Sequence, residues 1–268
     1  MAKRNRATTR KKIGKWIKDG RGQGEGVNYK PWLMIQDVPS EGVVTREKGW
    51  KTTRNHQLMS QLEYKYFLTL EWSNTVIDIR EQFPLLPLER TLEIADFLGV
   101  KHPTDPQTQE PIVMTTDFMI NLELFGGTEK IVARTIKPAS KLKPREIEKF
   151  AIEQIFYDEQ SIDWAIVIDK DIPNEFVENM KFIYKEKYLD NYDGIDRELV
   201  NRLEPRLLEE LSNTSNSLSK TALDLDELFG LREGATLAIV KHLLANKVWL
   251  TDMDKIIDPL GKFEFKRA

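Results

Sequence analysis

The feature that most constrains how this chain folds is a pair of short segments, residues 112–121 and 129–137, separated by Gly126-Gly127. In the first, alternation puts Ile112, Met114, Thr116, Phe118 and Ile120 on one face and Asp117 on the other, an acid singled out within an apolar strand. In the second, Thr135 and Lys137 are two apart and share a face. Two such strands joined through Gly-Gly read as a hairpin that holds Asp117, Thr135 and Lys137 side by side. A helix opened by Pro144 and running to about residue 160 follows, with Ile147, Phe150, Ala151, Ile155 and Phe156 facing the core. Then Trp164-Ala-Ile-Val-Ile168 makes a continuous apolar run, the mark of a strand buried on both faces. Hairpin, helix and buried strand in succession predict an α/β core with helices on both sides.

Upstream, Leu58, Met59, Leu62, Tyr66, Phe67 and Leu70 recur at helical spacing over residues 57–72, with Ser60 placed to cap the start. Glu63 falls on the edge of that apolar stripe. A carboxylate there is costly to bury unless a cation or donor meets it, so it is either a surface acid or a ligand. Residues 75–80 read as a strand, and Phe83-Pro-Leu-Leu-Pro87 as a rigid connection. The glycines of Gly20-Arg-Gly-Gln-Gly24-Glu-Gly26 form a close-approach loop. No strand precedes them and no Lys-Ser/Thr follows, so they are not a nucleotide-binding loop. Pro31-Trp32, Val38-Pro39 and Gly42 continue as irregular chain suited to wrapping a surface.

At 268 residues, 40% of them hydrophobic, there is room for one large or two small domains. Cysteine is absent, which removes disulfides, thiolate zinc sites and cysteine catalysis, and is compatible with a reducing compartment. No run approaches the roughly 18 apolar residues of a membrane helix. The N-terminus is basic with no apolar core behind it, so a cytoplasmic protein away from membranes is expected. His56, His102 and His242 lie far apart without ligand spacing, which argues against zinc. Trp72, Trp164 and Trp249 read as core, whereas Trp16 and Trp32 are candidates for base stacking.

The net charge of −3 hides an asymmetry. Residues 1–21 carry Lys3, Arg4, Arg6, Arg10, Lys11, Lys12, Lys15, Lys18 and Arg21 against Asp19 alone. A basic arm on an acidic body reads either as a phosphate-binding element or as a solubilising tail. Trp16 and Ile17 favour a segment that orders on a partner. Three regions follow: a basic arm over 1–21, an α/β body over 22–174, and a helical region over 175–268. In the last, a charged helical passage gives way to the polar spacer Ser212-Asn-Thr-Ser-Asn-Ser217. Then come a helix over residues 221–229 closed by Gly230, a second over 235–246 with Leu237, Val240 and Leu244 inward, and strands at 248–250 and 255–257. That order suggests a winged helix. Asp224, Asp226, Glu227 and Glu233 face only Lys241, His242 and Lys247, which favours protein docking over DNA reading.

Several longer words stand in one order: Tyr29-Lys-Pro-Trp32, Asp78-Ile-Arg-Glu-Gln-Phe-Pro-Leu-Leu-Pro87, Gly99-Val-Lys-His-Pro103, Thr116-Asp-Phe118 and Lys137-Pro-Ala139. With the glycine loop and Val38-Pro-Ser40, they closely resemble the TnsA family, over about residues 15–170. That family provides the endonuclease subunit of heteromeric cut-and-paste transposases. The resemblance implies a restriction-endonuclease-like (PD-(D/E)xK type) catalytic domain that uses Mg²⁺, with Mn²⁺ as substitute, to hydrolyse the 5′ end of the non-transferred strand. The implied partners are double-stranded transposon-end DNA, a TnsB-like DDE recombinase and a TnsC-like AAA+ ATPase.

Matched position by position, the resemblance implies catalytic roles for Glu63, Asp117, Lys137 and Glu153. It puts Thr135 where the family has Gln; a hydroxyl is a poorer cation ligand than a carboxamide, while the Ile136 carbonyl keeps that capacity. The implied metal set is Glu63, Asp117, Thr135 and Ile136. Lys3, Arg4, Arg6, Arg10, Lys11, Lys12 and Lys15 are the candidates for DNA contact. Two alternatives remain: an adaptor bridging DNA and partners with a silenced site, and a stand-alone structure-specific nuclease.

Overall fold

A computed structural model describes residues 7–38, 43–189, 192 and 194–268. They divide into two compact units, Met1–Ile172 and Pro173–Ala268. No helix among the described residues is long and apolar enough to cross a membrane.

The first unit is built on a four-stranded sheet in the order β3 (Val76–Pro84), β4 (Thr115–Glu123), β5 (Glu129–Ile136), β6 (Asp163–Val167). β3, β4 and β5 are antiparallel neighbours, and β6 lies parallel to β5. Gly126 and Gly127, both at positive φ, make the turn of the β4–β5 hairpin. Helices cover both faces. Phe118 of β4 meets Tyr66 of α2 (Gln61–Trp72) with ring centroids 5.6 Å apart. The next residue, Met119, points the other way, into a cluster with Ile94 of α3 (Leu88–Leu98) and Ile152 and Phe156 of α4 (Pro144–Asp158). A small hairpin, β1 (Thr45–Lys48) and β2 (Asn55–Leu58), precedes α2.

Several expectations change. The continuous apolar run at 164–168 is an edge strand, partly exposed along its length. Deep burial belongs instead to β3, buried except at Ile77 and part of Phe83, despite Asp78, Arg80, Glu81 and Gln82 within it. The reason is that irregular chain seals its outer edge: Gly26 N–H donates to Asp78 at 3.2 Å, the Tyr29 hydroxyl to Glu81 O at 3.1 Å, and Trp32 N–H to Gln82 O at 3.1 Å. Fully buried Glu81 is met by Arg54, His56 and the Gln57 N–H. Burial alone would raise its pKa, yet Arg54 and His56 hold it at about 2. The helix expected from residue 57 begins at Gln61, because Leu58 is taken by β2. Ile147, expected inward on α4, is half exposed. The helix α3 and the β1–β2 hairpin were not anticipated.

The described part of the basic arm, residues 7–21, is likewise not a separate element. Arg10–Lys18 forms a helix, α1, capped by Thr9, that belongs to the first unit. Ile13 and Trp16 are buried in a cluster with Trp32 and Val113, Trp16 standing edge-on to Trp32 at 5.2 Å. These two indoles are therefore core, and the segment orders on its own chain. Gly22, at φ 74°, supplies the close approach read from the glycine loop; a Cβ there would lie 2.3 Å from Pro84 Cγ.

In the second unit, α5 (Asn174–Ile183) and α6 (Arg197–Asn213) precede α7 (Leu218–Phe229), which Gly230 closes in the left-handed conformation. α8 (Ala235–Ala245) is buried around most of its circumference. A two-residue strand β7 (Trp249–Leu250) pairs with β8 (Lys266–Arg267), not with 255–257 as the sequence suggested. Trp249 stacks on Phe265 at 4.4 Å and its indole N–H donates to Glu204 at 2.8 Å. Three of the charges weighed for DNA or protein contact have internal duties. Asp226 accepts from Gly234 and Thr236 N–H, each at 2.7 Å, at the start of α8. The Lys241 ammonium lies 4.1 Å over the Phe182 ring, and His242 Nδ1 is 2.9 Å from Glu186 O.

Candidate active site

The register of β3 and β4 pairs Glu81 with Phe118 and Phe83 with Thr116, so Gln82 falls opposite Asp117. Gln82 is buried with φ 50°, a left-handed conformation uncommon for a residue bearing a Cβ. Its Oε1 accepts from the Thr115 hydroxyl at 3.3 Å, which orients the amide nitrogen. Nε2 lies 3.4 Å from Glu63 Oε2 and 3.4 Å from Asp117 Oδ1. The two acids, encoded on a helix and a strand far apart in the chain, are thus within twice that distance of one another.

Each acid is also fixed by its own neighbourhood. Ser60 caps α2 by accepting from the Glu63 N–H at 3.1 Å, and its hydroxyl donates back to Glu63 Oε1 at 2.9 Å. The Met59 N–H donates to Glu63 Oε2 at 2.8 Å. Ser60 and Glu63 are therefore bonded reciprocally at the start of α2, and the same glutamate faces the cleft. Asp117 Oδ2 accepts from the Ile136 N–H at 2.7 Å, which ties β4 to β5 at the site. Burial raises the pKa of Glu63, and the neighbouring Asp117 adds to the rise. Burial also raises Asp117, against the lowering pull of the Ile136 N–H, Lys137 and Gln82.

Behind this pair sits Glu153, 3% exposed on α4. Its Oε1 accepts from the hydroxyls of Thr116 on β4 and Thr135 on β5, the latter at 2.6 Å. Thr135 Oγ1 in turn accepts from the Trp164 indole N–H at 3.2 Å. Burial pushes Glu153 up to about 7, partly offset by these hydroxyl donors. Lys137 lies one residue past β5, its backbone N–H still bonded to Val167 O at 3.0 Å. Its ammonium is 2.9 Å from Glu146 Oε2, and the other oxygen of Glu146 is 2.6 Å from the Lys149 ammonium.

Glu63, Asp117, Thr135, Ile136, Lys137 and Glu153 all line one cleft of about 660 Å³, joined by Lys65, Lys141 and Lys149. Among the described residues, no three Asp, Glu or His side chains are grouped so as to hold a metal ion by themselves. The converging pair does suit a hard divalent cation. Of the roughly four acceptor positions on each carboxylate, hydrogen bonds occupy three on Glu63 and two on Asp117. A backbone carbonyl, water or phosphate would complete the oxygen shell. Glu153 lines the same cleft with its Oε1 engaged by Thr116 and Thr135, and the Thr135 hydroxyl is already engaged on both sides.

The basic residues divide. Lys3, Arg4 and Arg6 lie outside the described residues. Arg10, Lys11 and Lys15 are exposed on α1, while the Lys12 ammonium lies 4.9 Å over the Trp16 ring and 3.1 Å from Ala7 O. Arg21 turns inward, to Trp32 O at 2.8 Å and Asp37 at 2.5 Å. The histidines serve the fold: His56 Nε2 is 2.8 Å from the Thr52 hydroxyl, and His102 Nε2 is 2.9 Å from that of Thr91. Gln82, Glu146 and the cleft lysines Lys65, Lys141 and Lys149 escaped the sequence reading. Nothing short of the strand register signals Gln82; Glu146 carried only a helix-start position one turn from Lys149.

Comparison with known proteins converges on one family. Residues 73–169 match the family described as TnsA-like endonuclease N terminal, and residues 171–253 match TnsA endonuclease C terminal. The first match spans Asp117, Lys137 and Glu153 and begins after Glu63. Over 249 residues the chain is 37% identical to the Transposon Tn7 transposition protein TnsA of Escherichia coli, covering 92% of this chain and 87% of that protein. The chain belongs to the TnsA family of endonucleases.

Proposed function

We propose that this protein is the cytoplasmic endonuclease subunit of a heteromeric cut-and-paste transposase, hydrolysing the 5′ phosphodiester of the non-transferred strand at transposon ends. It works with a TnsB-like DDE recombinase and a TnsC-like AAA+ ATPase. The observation that carries the reading is the convergence of Glu63 and Asp117 on one amide, in a cleft that Lys137 also lines. The α/β unit is restriction-endonuclease-like in its order of hairpin, helix and parallel strand.

Glu63 and Asp117 would hold Mg²⁺, or Mn²⁺ in its place, with the Ile136 carbonyl as a further ligand. When bound, the ion supplies a Lewis acid for the scissile phosphate and makes water a nucleophile near neutral pH. The protein supplies the rest. Ser60, Met59 and Ile136 aim the two acids before DNA arrives, so no reorganisation is needed during reaction. Lys137 exchanges its contact with Glu146 for a phosphate oxygen and balances the charge that develops there. Lys65, Lys141 and Lys149 draw the backbone into the cleft. Glu153 clamps Thr116 to Thr135, holding the strand ends in register instead of touching the substrate. The second unit, winged-helix-like in its order of helix, glycine turn, helix and strand pair, docks a protein partner, because Lys241 and His242 are spent internally.

The test is calorimetric titration of Mg²⁺ into wild type and Asp117→Asn, together with nicking of end DNA in the presence of the partner proteins. Binding and nicking both lost in Asp117→Asn, with circular dichroism unchanged, is the expected result. A wild-type protein that binds no divalent cation overturns the cutting mechanism and leaves the adaptor role.

A further inference from the structure

The residue of this site that nothing in its sequence pattern marks is Gln82. Four features of its setting are independent of one another. It is 3% exposed inside β3, where a polar uncharged side chain has no packing advantage over an apolar one. Its backbone holds φ 50°, a conformation that costs an L-residue about 1 kcal/mol or more and that glycine adopts freely. Its carbonyl is anchored by the Trp32 N–H at 3.1 Å and its Oε1 by the Thr115 hydroxyl at 3.3 Å, so both ends of the residue are fixed. The remaining group, Nε2, lies 3.4 Å from an oxygen of each buried acid.

We propose that Gln82 is a positioning residue for the divalent cation, its amide setting the separation and aim of Glu63 and Asp117. This deepens the metal-dependent reading of the cleft and rests on it. The physical logic is that two buried carboxylates repel, and the bonds from Met59, Ser60 and Ile136 hold each acid to its own element without tying one acid to the other. One planar NH₂ group has two N–H donors at a fixed angle and can address one oxygen of each. The β3–β4 register brings Gln82 opposite Asp117, and its left-handed backbone is a strained conformation of the kind held at functional sites. The contacts are long for hydrogen bonds, so the amide steers the acids without competing strongly with an incoming ion. Gln82 touches neither substrate nor reacting atoms and acts through the two ligands. Residues that orient metal ligands in this way are worth 10–100-fold in metal affinity.

Two variants separate this role from a purely structural one. Gln82→Met keeps the bulk and the backbone cost but has no N–H donor; Gln82→Gly removes the amide and relieves the backbone. Unfolding in EDTA is expected to leave Gln82→Gly folded. Mg²⁺ affinity, measured by calorimetry without DNA, is expected to fall at least tenfold in both variants. The nicking rate at saturating Mg²⁺ should stay within a few-fold of wild type, a loss in binding and not in turnover. Both variants binding Mg²⁺ within twofold of wild type overturns the inference while leaving the metal site standing. Wild type failing to bind any divalent cation overturns the site reading and the inference with it.

Discussion

Glu153→Gln tests the burial argument most directly. Glu153 is 3% exposed, and burial pushes its pKa from an ordinary 4.5 to about 7. A carboxyl whose folded-state pKa is raised favours folding while protonated. Its contribution is complete below the ordinary value and is lost as pH rises through about 7. At about 1.4 kcal/mol per tenfold, that difference corresponds to about 3 kcal/mol of stability lost between pH 4.5 and pH 8. Gln keeps an Oε1 that accepts from Thr116 and Thr135 but does not ionise, so its variant should not lose this increment. The assay is urea unfolding in EDTA at pH 5, 6, 7 and 8, followed by tryptophan fluorescence, which reports mainly on the first unit because every tryptophan but Trp249 lies there. The variant should gain on wild type up to about pH 7 and level off above it, by about 2–3 kcal/mol over this range. Parallel curves, within about 0.5 kcal/mol at all four values, would mean that Glu153 is ionised throughout and that burial does not govern the site.

Other outcomes follow from contacts described above. Lys137→Ala should lower nicking by about 10²–10³-fold, as loss of a preorganised charge stabiliser does, with partner binding unchanged; activity within tenfold of wild type removes Lys137 from the chemistry. Arg54→Met strands the Glu81 charge and should cost about 3–5 kcal/mol in urea unfolding, much of it recovered in the Arg54→Met, Glu81→Gln pair. Replacing exposed Lys11 and Lys15 by Gln should reduce the slope of log affinity against log salt on duplex DNA by about 1.8, measured by anisotropy. An unchanged slope would show that α1 faces away from DNA.

What the sequence made legible was local. Asp117, Thr135 and Lys137 could be set side by side because a two-residue period and a Gly-Gly turn suffice to place them. The start of α4 followed from Pro144, and the end of α7 from Gly230. What escaped depended on long-range pairing. Gln82 faces Asp117 only through the β3–β4 register. The apolar run at 164–168 reads as fully buried when neighbours are ignored, yet it is an edge strand. Charged β3 is the buried one because Arg54, Tyr29 and Trp32 come from elsewhere to satisfy it. The partner of Trp249–Leu250 lies at the far C-terminus, beyond a closer run of similar composition. The basic arm misled because charge dominates its composition, while two residues, Ile13 and Trp16, decide where it goes.

The reciprocal bonds between Ser60 and Glu63 make one side chain serve two masters. Changing Glu63 to a residue without a matching acceptor empties the cleft and also leaves the Met59 N–H and the Ser60 hydroxyl without that partner, at about 1 kcal/mol. Lys137 has no such double duty: it is part-exposed, and its partner Glu146 keeps Lys149 when it is gone. A lineage drifting toward a cleavage-dead but well-folded descendant would therefore reach that state more readily by losing the lysine than by losing the helix glutamate.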